Sequence, residues 1–282
     1  MANTYTFRPL ENPALRAIAW GRGVPSTTMA VMAALGHLER VDAVLHADPG
    51  WEHMGTQELG DFYSGWLNRH GVYTESIHTG DIRQQGAAEH IHIPFWTPDG
   101  GQLGRQCSRH FKIDPNKRRM RDMLGYHPTK APHPPAQSIE LWIGFTLEET
   151  SRLKPSRVQF ITHRWPLIER RMTRQDCVSY LVEHGLPLPP PSSCVGCPYK
   201  DPARWQATTP DDFADAVAFD EQNRHNPLAE RAGSHADNLY IYKPHYHGPI
   251  ALADAPLDLD ARRPVDERQL SIFSCEEGYC GV

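Results

Sequence analysis

Apolar and polar positions alternate in a regular way along the first third of the chain. L-R-A-I-A-W (15–20) is a short apolar run of strand type, and S-T-T-M-A-V-M-A-A-L-G-H-L-E (26–39) follows it with small and apolar residues at helical spacing. V-D-A-V-L-H-A-D (41–48) is a second short run that ends in an acid, as a strand buried on both faces would. Over 55–70, Leu59, Phe62, Tyr63, Trp66 and Leu67 share one helical face, and G-V-Y-T-E-S-I-H (71–78) is again strand-like. This strand–helix–strand–helix–strand order predicts an α/β fold, a Rossmann-like doubly wound and mostly parallel sheet with ligands at the carboxyl ends of its strands.

The pattern then loosens. Residues 79–106 read as loop, 114–125 as a basic helix with proline in its first turn, and 127–136 as a proline-rich surface loop. I-E-L-W-I-G-F (139–145) is a clear strand and V-Q-F-I-T (158–162) a further one. T-R-Q-D-C-V-S-Y-L-V-E-H-G (173–185) is a capped helix ending at glycine, and the prolines after it force an extended run. Residues 211–224 are helical, and a proline-punctuated, extended C-terminal tail begins near 235. The expected organisation is a nucleotide-binding α/β domain over 1–172, a helical cysteine-motif region over 173–234, and the tail over 235–282.

Composition narrows the classes. The chain has 282 residues, 22% of them charged, and a net charge of −5, so it lacks the global basic signature of a nucleic-acid binder. No run approaches the roughly 18 apolar residues of a membrane span, and the first residues lack the apolar core of a signal peptide. The expectation is a cytoplasmic protein with no membrane partner. Positive charge is nevertheless concentrated after 104, with Arg105, Arg109, Lys112, Lys117, Arg118, Arg119 and Arg121 close together. That local patch suits an enzyme handling phosphorylated ligands, or a set of solvated helix faces.

Two stretches carry candidate chemistry. In G-R-G-V-P-S-T (21–27), Gly21 and Gly23 permit a tight turn, while the helix start and the Ser26 and Thr27 hydroxyls offer donors to an anion. An ordinary strand-to-helix turn is the alternative. Asp48 at the second strand end could orient a ribose hydroxyl or Mg2+, or simply cap a helix. The second stretch is S-S-C-V-G-C-P (192–198), whose Cys194 and Cys197 have the spacing of a metal-binding pair. Cys107 and Cys177, each after a polar or basic cue, are the natural remaining ligands. Four thiolates hold either zinc or a [4Fe–4S] cluster, and two single cysteines joined to one pair differ from the paired C-x-x-C usual in structural zinc sites. Four unligated thiols are the remaining reading. C-E-E-G-Y-C-G-V places Cys275 and Cys280 at the extreme C-terminus, where a mobile cysteine can carry sulfur or reduce a substrate.

Taken in order, A-W-G-R-G-V-P-S-T, H-A-D-P-G-W-E, R-Q-C-S-R-H-F-K-I-D-P, W-I-G-F-T-L-E-E-T-S-R-L-K-P-S, R-W-P-L-I-E, R-Q-D-C and S-S-C-V-G-C-P-Y resemble the PP-loop superfamily of adenine-nucleotide α-hydrolase-like proteins. This superfamily contains the N-type ATP pyrophosphatases and the phosphoadenosine phosphosulfate (PAPS) reductases. The resemblance covers roughly 15–224 and lies with the cysteine-rich, iron–sulfur members, among them tRNA thiolases and the pyrophosphatase partner of DNA phosphorothioation. It implies ATP or PAPS at Gly21, Arg22, Gly23, Ser26 and Thr27 with Asp48 near the adenosine, and a cluster on Cys107, Cys177, Cys194 and Cys197. Lys112 and Arg152, inside these motifs, are implied as catalytic, with Cys280 and Cys275. The chain departs from the S-G-G-x-D-S pattern at Ala19, Arg22 and Pro25, which removes hydrogen bonds to phosphate and leaves Arg22 to supply charge.

The function implied is ATP-dependent sulfur transfer with a [4Fe–4S] cluster. The alternatives are thiol-dependent reduction of PAPS or adenylyl sulfate, and a nucleotide-binding subunit that no longer catalyses. Expected partners are an adenine nucleotide, a sulfur donor or thioredoxin-like reductant, a nucleic-acid acceptor on the local basic patch, and a second copy of the chain in a homo-oligomer.

Overall fold

In a computed structural model of the chain, residues 7–84, 93–224, 238–244 and 247–260 are described. Five strands, β1 (Leu15–Ala19), β2 (Ala43–Asp48), β3 (Thr74–His78), β4 (Ile139–Ile143) and β5 (Ile161–Arg164), form one parallel sheet in the order β3-β2-β1-β4-β5. β1 is central, with Ala17 opposite Ala43 on one side and Leu141 on the other. Side chains alternate between the faces with the period of a strand. Leu15, Ala17, Leu45 and Leu141 enter one apolar cluster, whereas Ile18, Val44 and Trp142 enter another.

Helices α1 (Val24–Ala34) and α2 (Met54–Arg69) cover the Ile18 face, and α3 (Asp114–Met123) covers the opposite one through Met120. Burial on both sides explains why these strands read as near-continuous apolar runs. The architecture is the Rossmann-like, doubly wound sheet expected. The chain lays down β1, β2 and β3 in one direction and then returns to place β4 and β5 beyond β1. The reversal leaves a crevice between the carboxyl ends of β1 and β4, where such sheets bind ligands.

Three features differ from the sequence reading. The basic helix does not begin at 114: a π-helical turn, Arg109–Ile113, runs into α3 without a break. Pro115 has no N–H to give the carbonyl of Phe111, and the Thr79 hydroxyl donates to that carbonyl instead, at 3.3 Å. β5 begins three residues later than predicted, because 157–160 form a turn in which Ile161 N donates to the Val158 carbonyl at 3.1 Å, and it runs on through polar residues that are satisfied internally. His163 meets the Lys154 carbonyl at 3.0 Å, and Arg164 pairs with Glu39 and Glu169 at 3.1 and 2.8 Å. Finally, the described part of the segment read as a tail is packed. Leu239, Ile241, Tyr242 and Leu252 are buried with Trp51, Phe111 and Phe219 in a third cluster beside α7 (Pro210–Asn223).

Shorter helices complete the chain: α4 (Pro166–Glu169), α6 (Pro202–Gln206) and α8 (Leu257–Asp260). α5 (Arg174–Glu183) carries a capping box between Thr173 and Asp176 and packs on α1. Among the described residues no helix is long and apolar enough to cross a membrane.

Candidate functional site

β1 leads straight into the glycine loop, and everything from Ala17 to Ala33 is buried. The loop closes with Thr27 N donating to the Gly23 carbonyl at 3.0 Å. Helix α1 starts on an extended Gly23, with no side-chain cap. Its positive end is therefore left to the loop, the arrangement that favours an anion. Pro25 in the first turn contributes no N–H. Gly144, directly after β4, lets the second loop touch the first. A Cβ there would lie 2.7 Å from Ser26 Cα and 2.8 Å from its nitrogen. Both loops thus meet at the crevice that the strand order creates.

The side chains expected to hold phosphate each have a partner inside the protein, and the buried Arg22 Nε is left without one among the described residues. Ser26 donates to the Gly23 carbonyl at 3.3 Å, and Thr27 accepts the Trp20 indole N–H at 3.0 Å. Arg22 has a left-handed backbone, φ 60°. Its guanidinium donates to Ser76 on β3 at 2.7 Å, lies 3.6 Å from Asp61 and sits 5.4 Å above the Trp20 ring. Gly60 forms the slot, since a Cβ there would collide with the Arg22 guanidinium. Asp48 accepts from Gly50 N at 2.8 Å, as a turn cap does, and its other oxygen is 3.5 Å from His78.

Cys107, Cys194 and Cys197 line one cavity of about 40 Å³, together with Trp51, Phe111 and Lys112. Cys107 opens the helix that becomes the π turn, and that turn carries Lys112. The C-V-G-C segment is fastened along the residues after β2: Glu52 bridges Cys194, and Val195 N donates to the Trp51 carbonyl at 3.0 Å. Its turn closes with Cys197 N donating to the Cys194 carbonyl at 3.2 Å. Gly196 is required because a Cβ would run into the Trp51 ring. Burial and the neighbouring Cys197 push the Cys107 thiol up to about 11, and burial pushes Cys194 higher still. Among the described residues, no group of three or more His, Cys, Asp or Glu side chains is drawn together closely enough to hold a metal ion. In chemical type, three half-buried sulfurs with no oxygen donor among them suit iron–sulfur or zinc, and a bound cation reverses the preference for neutral thiols.

Cys177 is the correction to the expected set of four. It lies on α5, fully buried in the cluster with Ile18, Val31 and Leu181, and its carbonyl accepts from Thr28 at 3.2 Å. The helical stripe of R-Q-D-C-V-S-Y-L puts Cys177 and Leu181 on the same inward face, so packing against α1 claims the thiol. Arg152 ends a 3₁₀ turn, Leu147–Arg152, beyond β4; it pairs with Glu149 and stacks 4.6 Å from the Phe145 ring. Cys275 and Cys280 lie outside the described residues.

Sequence reading did not single out His46, Glu52 or Lys200. Lys112 Nζ is 3.1 Å from one Glu52 oxygen, the other Glu52 oxygen is 3.3 Å from His46 Nε2, and His46 Nδ1 reaches the Trp20 carbonyl at 3.0 Å. These buried groups run from the cysteine cavity to the start of the glycine loop. Burial alone would raise the Glu52 carboxyl, but Lys112 and His46 outweigh it and hold it to about 2. Burial opposes the charge on Lys112 too, and Glu52 and Cys194 raise it well above the usual lysine range. Lys200 donates to the Val195 carbonyl at 2.7 Å, and burial lowers it to about 8. The available signal was His46 itself, a polar residue inside an otherwise apolar buried strand, with an acid six residues on.

No family model matches the chain, and no curated protein does. Two solved structures are similar to it. One is a PAPS reductase from Candida auris in a phosphate complex, 13% identical with a TM-score of 0.40, covering 64% of this chain and 76% of that one. The other is the U34-tRNA thiolase NcsA from Methanococcus maripaludis with its [4Fe–4S] cluster, 10% identical with a TM-score of 0.41, covering 80% of this chain and 73% of that one.

Proposed function

We propose that this chain is an adenine-nucleotide-dependent sulfur-transfer enzyme, with nucleotide at the loops after β1 and β4 and a metal centre on Cys107, Cys194 and Cys197. The observation that carries the reading is that these three cysteines line one cavity, which Lys112, Glu52 and His46 connect to the glycine loop. A substrate oxygen would attack the α-phosphorus of ATP as the bond to pyrophosphate breaks. A sulfide-level sulfur donor would then displace AMP from the activated carbon. A [4Fe–4S] cluster, when bound, supplies a place to hold that sulfur. Cys107, Cys194 and Cys197 are the side chains that would hold it. Lys112 and Lys200 set positive charge against the thiolates, and the walls of Trp51 and Phe111 keep water out.

Anaerobic purification with an absorption spectrum and iron, sulfide and zinc analysis tests the centre. Broad absorption near about 400 nm with bound iron is expected. Cys107→Ser, Cys194→Ser and Cys197→Ser should each lose it, and Cys177→Ser should keep it. A colourless protein with stoichiometric zinc would overturn the cluster, and equal metal in all four variants would overturn the site.

The loop supports a second reading. Pro25 offers no N–H, Ser26 donates to the Gly23 carbonyl and Arg22 donates to Ser76 on β3, so the loop would hold a nucleotide without cleaving it. Pyrophosphate release from ATP by the metal-loaded protein separates the two, and release would exclude this second reading.

A further inference from the structure

A second recess opens far from the glycine loop. One helical face of α3, carrying Lys117, Arg118 and Arg121, forms one wall. The proline-rich loop forms the facing wall, with Pro128, His133 and Pro134, and Phe160 lies between them. The residues contributed by the sheet, Ala136 and 158–160, precede β4 and β5. The recess is therefore at the amino ends of these strands, whereas the glycine loop follows the carboxyl end of β1. Its volume is about 460 Å³, within the roughly 300–1,000 Å³ of small-molecule sites.

The charges of the recess do not balance. Arg121 is 3% exposed, and its guanidinium donates to the carbonyls of His127 at 2.9 Å and Lys130 at 2.5 Å, and to His133 Nδ1 at 2.5 Å. It also lies 5.5 Å from the Phe160 ring. None of these partners is a carboxylate, so a buried cation stands beside the recess without a counter-charge among the described residues. Arg118 is exposed and has no ion pair among them either. Asp114, the acid of the lining, is already matched by Lys117 at 2.5 Å and Arg109 at 3.4 Å. A guanidinium only donates, so His133 Nδ1 accepts and its proton sits on Nε2, one more donor. The remaining surface is mostly apolar: Pro128, Pro134, Ala136, Val158 and Phe160 beside the uncharged Thr129 and Gln159, with His133 stacked on Phe160 at 6.2 Å and 17°.

We propose that this recess is a second ligand site, binding a phosphate group carried on a compact ring-bearing body of nucleotide size. Arg118 and Lys117 take the phosphate, Arg121 supplies the field behind it, and the ring lies against His133 and the prolines. The site does not depend on what the glycine loop binds.

The probes are thymidine 5′-monophosphate, thymidine, and a single-stranded thymidine decanucleotide, each titrated into the full chain at low and high salt. The monophosphate should bind, more weakly at high salt, and thymidine should bind at least tenfold more weakly than the monophosphate. Arg118→Glu should reduce monophosphate binding at least tenfold without changing the melting temperature, and His133→Ala should weaken it severalfold. Gly144→Ala, which disturbs only the glycine loop, should leave it unchanged. A decanucleotide that binds at least tenfold tighter with the same Arg118 dependence marks a strand as the source of the phosphate; equal affinity marks a free nucleotide. Unchanged binding in both Arg118→Glu and His133→Ala, or equal affinity for thymidine, would overturn the proposal.

Discussion

The glycine loop and the cysteine cavity sit at the same end of the sheet and are built in opposite ways. The loop comes from one unbroken stretch, buried from Ala17 to Ala33, and its shape is set by where a Cβ will fit: Gly60 beside Arg22, and Gly144 against Ser26. The cavity gathers residues near 50, 107–112 and 194–200, and at its centre is a buried charge pair. Local backbone sterics fix the first, whereas long-range electrostatics and one bridged strand segment fix the second. The loop should therefore fail when volume is added, and the cavity when charge is removed.

The largest expected effect breaks the cavity. Lys112→Met leaves Glu52 buried without its partner, which costs about 3–5 kcal/mol. Urea unfolding should show that loss, with metal content falling alongside. Adding Glu52→Gln to Lys112→Met should recover at least half of it, since no buried charge is then stranded; no recovery would mean that charge does not hold this region. Steric changes come next. Gly196→Ala and Gly144→Ala should each cost about 1–3 kcal/mol by overpacking. Gly196→Ala should abolish metal binding with nucleotide binding kept, and Gly144→Ala should do the reverse. If both variants lose both ligands, the two regions are one unit and the contrast fails. The smallest effect sharpens the loop. Arg22→Gly relieves a left-handed residue while losing the bond to Ser76, so stability should shift by no more than about 1 kcal/mol. Gly60→Ala should destabilise more, and the double variant less than Gly60→Ala alone, which thermal melts will show as non-additivity.

The same contrast explains what could be read from the chain. The strands, α1, α2 and the loop were legible because apolar periodicity and glycine positions are local signals. β5 was placed three residues early because the turn over 157–160 carries the apolar Val158 and Phe160, which read as strand. Spacing singled out Cys194 and Cys197 and flanking residues singled out Cys107, and these three line one cavity, whereas Cys177, singled out by the same kind of cue, lies apart from them. R-Q-D-C also describes the first turn of a capped helix, where Asp176 serves Thr173 and the thiol faces α1. Glu52 and His46 escaped notice because neither has a motif of its own, and their pairing appears only when β2 is placed beside the π turn.

The bridge between Glu52 and Cys194 also sets an order of events in synthesis. Residues 46, 52 and 112 can assemble as soon as the first half of the sheet is made, so the buried charges are satisfied early. Cys194 and Cys197 emerge some eighty residues later and dock on an edge already waiting for them. A nascent chain that stops short of that docking has its glycine loop and two thiols, Cys107 and Cys177, which belong to different clusters of the core. A metal centre of the proposed kind would therefore be confined to chains that extend past residue 197.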